Sequence, residues 1–77
     1  VEIDFCVPSA QLAIQVSYNL NDEATYEREV GGLIKFLKAF PGYHGYIITR
    51  DYQTQIMADG YTIEVVPIWK WLLQDNN

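Results

Sequence analysis

The chain has one cysteine, one histidine, one methionine and five basic residues in 77. Each scarcity removes a class of function. A lone Cys6 cannot form an internal disulfide, which fits a reducing, cytoplasmic setting. It is expected to act as a small half-buried hydrophobe. His44 has no second histidine and no cysteine near it, so metal-ligand or base duty is not expected of it. Five Lys and Arg against ten Asp and Glu leave a net charge of −5. That balance disfavours sequence-independent nucleic-acid binding, in which phosphate neutralisation supplies most of the affinity. Lys35, Lys38 and Arg50 are too few and too scattered for a basic patch. No apolar run approaches the roughly 18 residues that suggest a membrane span, and no stretch of the sequence reads as a signal peptide. No GxxxxGK[ST] loop occurs, so the chain has no P-loop with which to bind ATP. There are no internal repeats.

What is present suffices for one small core. The chain is 49% hydrophobic, and eleven Phe, Trp and Tyr residues give a large buried area per residue. A chain of this size buries only about 60% of its unfolded surface, so its stability margin is thin. It opens at Val1, already inside a strand-like pattern, and its only methionine is Met57. It is therefore expected to be a fragment of a longer protein.

Val1, Ile3, Phe5 and Val7 alternate with Glu2, Asp4 and Cys6, a period of two that predicts a half-buried strand over 1–7. A turn at Pro8-Ser9-Ala10 leads to a second alternating run over 11–18. Leu12, Ile14, Val16 and Tyr18 take one face; Ala13, Gln15 and Ser17 take the other. The two runs predict an antiparallel hairpin. Asn21 or Asp22 caps a helix reaching about Phe40. Its apolar stripe is Tyr26, Val30, Leu33, Leu37 and Phe40, with Ile34 beside it. Acidic residues early and lysines late suit the helix dipole. Gly31-Gly32 in mid-helix costs roughly 1 kcal/mol per glycine relative to alanine, which close packing on a sheet would offset.

The run 44–50, centred on Tyr46-Ile47-Ile48-Thr49, reads as the return strand of a β-α-β crossover, parallel to strand 11–18. Runs 53–58 and 61–66 flank Asp59-Gly60, a strong hairpin signal. Pro67 opens a last short helix from Ile68 to about Gln74, and Asp75-Asn76-Asn77 reads as a frayed end. The order β-β-α-β-β-β-α predicts an α/β fold of the mixed, α+β kind. About five strands form one mixed sheet, with the long helix on one face, in two or three layers.

Asp4, Gln15 and Ser17 share the polar side of the first hairpin. A carboxylate on one strand and an acidic residue on the next can hold a divalent ion, and a lysine two residues on can stabilise developing charge. The bland alternative is a plain polar face of a hairpin.

The stretch Glu2-Ile3-Asp4-Phe5, followed eleven residues after Asp4 by Gln15-Val16-Ser17, resembles the metal-site hairpin of the PD-(D/E)XK nuclease superfamily, with its Glu-x-Lys replaced. A more specific resemblance runs through Gln15-Val16-Ser17-Tyr18, Thr25 with Arg28-Glu29, Ile47-Ile48-Thr49 with Asp51, Asp59-Gly60 and Val66-Pro67-Ile68-Trp69-Lys70-Trp71-Leu72-Leu73. In this order the chain is similar to the nuclease-like C-terminal domain, of unknown function, of bacterial and archaeal AAA-type ATP-binding proteins. The resemblance covers nearly the whole chain and implies a restriction-endonuclease-like core. It also implies an upstream P-loop ATPase domain as partner, with ATP and magnesium bound there and no cofactor here. Only Asp4 keeps the nuclease residue type; Gln15 offers a neutral carbonyl, and Ser17 cannot replace a cation.

Two functions follow as expectations. One is a non-catalytic accessory or interaction domain, possible also as a homo-oligomer contact. The other is a metal-dependent DNA nuclease with a site remodelled on Asp4, Glu2 and Gln15. A third, a non-catalytic nucleic-acid binder, is disfavoured by charge. Trp69 and Trp71 lie two apart and cannot share a helix face, so one is expected to pack on the sheet and the other to serve as an exposed contact anchor. Tyr43, Tyr46 and Tyr52 are expected to line a contact surface.

Overall fold

A computed structural model describes residues 3–74. Strands β1 (Phe5–Val7) and β2 (Leu12–Val16) are joined by a single 3₁₀ turn at Pro8–Ala10. Helix α1 (Glu23–Ala39) follows, then β3 (His44–Thr49), β4 (Thr54–Ala58), β5 (Tyr61–Pro67) and helix α2 (Ile68–Gln74). The five strands form one sheet in the order β1-β2-β3-β5-β4. β2, β3 and β5 run parallel; β1 and β4 pair antiparallel at the two edges. The expected fold class, α+β with a five-stranded mixed sheet, a long helix and a short C-terminal helix, is therefore what the chain adopts.

Local chemistry sets the element ends. Asp22 caps α1: its Oδ2 accepts from Thr25 N at 2.9 Å and from Thr25 Oγ1 at 2.8 Å. These two bonds hold the Asp22 carboxyl below the usual aspartate range. Val30, Leu33, Ile34 and Leu37 of the predicted stripe are buried, while its ends, Tyr26 and Phe40, are exposed. Asp59 and Gly60 both adopt positive φ, 53° and 82°, which closes the β4–β5 hairpin in two residues. Pro67 ends β5, opposite Thr49, one residue beyond the expected strand, and α2 starts at Ile68 as expected.

Helix α1 crosses the face that carries Ala13, Gly45, Ile47, Ile63 and Val65. Gly45 is the point of closest approach. A Cβ there would lie 3.1 Å from Leu37 Cδ1 and 3.2 Å from Leu33 Cδ2. Tyr46, one residue on, points to the opposite face. There it meets Trp71 of α2, ring centroids 5.1 Å apart and inclined at 61°. The molecule thus has three layers, α1, sheet and α2.

Several expectations need correction. The side of β2 bearing Gln15 and Ser17 is not a solvated hairpin face. Gln15 is 4% exposed and Ser17 6%, both on the α1 side. The reason is topological: β2 leads through α1 into its parallel neighbour β3, and α1 packs back across the face that bears Gln15 and Ser17. The apolar positions of β1 go the other way, because a three-residue edge strand projects past the cover of α2. Phe5 and Val7 are exposed, as is Cys6. The mid-helix glycines are not explained by tight packing at Gly31, where an added Cβ would meet nothing within 4 Å. The expected fraying at 75–77 falls outside the described residues.

Candidate functional site

Continuing the β1–β2 register by one step sets Asp4 opposite Gln15. This pair forms the floor of an open cleft of about 540 Å³ between the sheet edge and α1. The cleft exists because Gly31 and Gly32 line it from above, so the helix presents no side chain at those two positions. Arg28 and Lys35, seven residues apart and hence on one side of α1, border it. Glu27 and Glu29 supply the acidic part of the rim.

The floor is wired to the backbone. Asp4 N–H donates to Gln15 Oε1 at 2.9 Å, and Val16 N–H donates to Asp4 Oδ2 at 2.8 Å. The carboxylate and the amide carbonyl therefore extend the β1–β2 ladder beyond Phe5, where the regular pairing ends. A buried glutamine needs such partners, since an unsatisfied buried polar group costs about 1–3 kcal/mol. No described buried side-chain nitrogen or oxygen is left without a hydrogen-bond partner.

Above the floor, Glu29 is held above the usual glutamate range, first by burial and then by the nearby Asp4 charge; Arg28 opposes the shift. Arg28 Nη2 lies 3.9 Å from Glu29 Oε1, with Arg28 largely in solvent. Asp4 and Glu29 thus face one another across the cleft with two cations near. A pair of this kind can attract a cation. Among the described residues, however, no group of three or more His, Cys, Asp or Glu is placed to hold a metal ion.

Of the residues singled out in sequence, Asp4 and Gln15 meet. Ser17 lies further along the α1 face, its N–H bonded to Ile48 O at 2.9 Å, and does not line the cleft. Glu2 lies outside the described residues. Trp71 packs on Tyr46, whereas Trp69 is 57% exposed beside exposed Leu72 and Leu73. The three tyrosines do not form one surface. Tyr43 stacks with Phe36 and Phe40, Tyr46 lies across the sheet, and Tyr52 accepts Thr49 Oγ1 at its carbonyl in the turn before β4. His44 opens β3, exposed, in a second shallow cleft with Tyr46, Gln53 and Glu64. The basic residues are dispersed: Lys38 pairs with Asp59 at 3.0 Å, and Arg50 lies 5.6 Å from the Tyr18 ring centroid.

Sequence reasoning missed Glu29, Arg28 and Lys35 as neighbours of Asp4. A signal existed: Arg28, the glycine pair and Lys35 recur at helical spacing and define a helix side with a gap in it. No helix among the described residues is long and apolar enough to cross a membrane. No family model matches this chain, and no curated protein or solved structure matches it either.

Proposed function

We propose that this chain is an accessory, contact-making domain of nuclease-like descent, acting beside the ATPase domain of an AAA-type ATP-binding protein. The observation that carries the reading is the use made of Asp4 and Gln15. The side-chain oxygens that a nuclease would turn toward a metal ion accept backbone N–H bonds instead, 2.9 and 2.8 Å long, and tie β1 to β2. Gln15 brings no charge to a cation, and Ser17 lies away from the cleft. The contact-making half of the reading draws on α2. Trp69, Leu72 and Leu73 are each more than half exposed, whereas Trp71 anchors the helix to the sheet. Tryptophan is enriched at binding hot spots, and the exposed leucines beside it enlarge the apolar patch.

A second reading has one observation in its favour. Glu29 reaches the cleft from α1, close enough for the Asp4 charge to raise its pKa. A remodelled site could thus pair Asp4 with a helix-borne carboxylate, with Lys35 or Arg28 supplying the cation that Ser17 does not. Calorimetric titration with Mg²⁺ and Mn²⁺, together with a plasmid-nicking assay, separates the two. The accessory reading expects neither metal heat nor nicking. Submillimolar binding and nicking, both lost in Asp4→Ala, would establish the hydrolase.

A further inference from the structure

The two edges of the sheet are guarded unequally. β1 is three residues long, followed by Pro8, and the Asp4 carboxylate occupies the ladder beside it. Short length, proline and charge are the devices that keep an edge from pairing. β4 has none of them. Thr54-Gln55-Ile56-Met57-Ala58 contains no charge and no proline, and its register with β5 runs through five consecutive pairs without a bulge. Among the described residues nothing pairs with its outer side.

The hairpin fixes which backbone groups face outward. In a two-residue hairpin the closing pair, Ala58 and Tyr61, exchanges hydrogen bonds, and bonded and non-bonded pairs then alternate. Ala58, Ile56 and Thr54 therefore point their N–H and C=O groups at β5. Gln55 and Met57 point theirs away from the sheet.

We propose that β4 pairs antiparallel with β4 of a second copy of this chain, joining two sheets into one. The dyad passes through Ile56, which faces its own mate. In this register Gln55 lies opposite Met57 of the other copy, and every outward N–H and C=O of these two residues finds a partner. Met57, 79% exposed in the single chain, is covered beside Gln55 of the other copy, and the two Ile56 side chains meet on the α1 side. Charge permits the same partner. The chain is acidic overall, yet its β4 is neutral, so two copies approach there with least repulsion. The strand ends add no unpaired charge. Residue 59 of one copy comes opposite residue 53 of the other. Asp59 is paired with Lys38 of α1 at 3.0 Å on one face of the sheet, and Gln53 carries the Lys70 ammonium of α2 on its Oε1 at 2.9 Å on the other. None of this depends on whether the Asp4 cleft is catalytic.

Sedimentation equilibrium between about 10 µM and 1 mM tests the pairing, that being the range in which a small interface associates. We expect a monomer–dimer equilibrium that Met57→Lys weakens at least about tenfold by placing charge on the edge. Amide exchange of the wild type gives an independent readout. The Gln55 and Met57 amides should exchange quickly at about 20 µM and slowly at about 1 mM, while Ile56 is protected at both. A monomer at every concentration overturns the proposal. So does a dimer that leaves the Gln55 and Met57 amides unprotected, which would place the contact elsewhere, for example on the exposed face of α2. Should Met57→Lys fail to fold, the wild-type exchange pattern still decides.

Discussion

Glu29 is the residue whose environment most departs from what its position in the sequence suggests. Mid-helix glutamates are ordinarily solvated, but this side chain is 17% exposed and faces Asp4. Its raised pKa means that the folded chain binds a proton that the unfolded chain releases, in the window between the ordinary glutamate value and the folded one. Stability is then lost as pH rises through that window and regained as it falls. The wild type should therefore gain stability relative to Glu29→Gln as pH is lowered from 7 towards 5, and denaturant titrations of the two proteins at each pH check this. Asp22 has the opposite sign. Its lowered pKa supports α1 at neutral pH, and that support fades as pH drops below the ordinary aspartate range. The Asp22 cap was legible from residue type alone. The Glu29 environment was not, because it depends on how far α1 sits from the β1 edge, a distance no local pattern encodes.

At the scale of elements, the glycines of the α1 layer differ in what they do. Gly45 lets the helix approach the sheet, and its added methyl would press on Leu33 and Leu37, themselves 0% and 3% exposed. Gly31 faces open space. The two substitutions should accordingly diverge: Gly31→Ala stabilises by about 0.5–1 kcal/mol through helix propensity, and Gly45→Ala destabilises by about 1–3 kcal/mol through overpacking. Thermal unfolding of the two variants checks the signs, with roughly 4–8 °C per kcal/mol in a domain of this size. Element types and order were readable from periodicity, capping and the Asp-Gly turn, since each is a local signal. The faces of β2 were not. Leu12, Ile14 and Val16 read as the buried side of a half-exposed strand, with Gln15 and Ser17 turned to water. Parallel pairing of β2 with β3 brings α1 over the Gln15 side, and that placement is set by long-range contacts. Gln15 is tolerated under the helix because Asp4 N–H meets its carbonyl. Polar residue type thus signalled a hydrogen bond rather than solvent.

For the whole molecule, one sheet separates two unlike surfaces. The α1 side carries the charged cleft; the α2 side carries Phe5, Met57 and the exposed residues of a helix too short to cover it. Seven residues make a helix only about 10 Å long, against a sheet five strands wide. The exposed apolar residues are thus a geometric remainder that a partner would cover, consistent with a domain that makes contacts. Asp4 and Gln15 tie β1 to β2, and the proposed function has them serving no metal ion. Equilibrium unfolding of the wild type and Asp4→Ala, each with and without millimolar Mn²⁺, tests it most directly. The account predicts that Asp4→Ala loses about 1 kcal/mol by orphaning Val16 N–H and that Mn²⁺ shifts neither curve. A wild type stabilised by Mn²⁺, as a ligand that binds only the folded state requires, with the effect absent in Asp4→Ala, would contradict it.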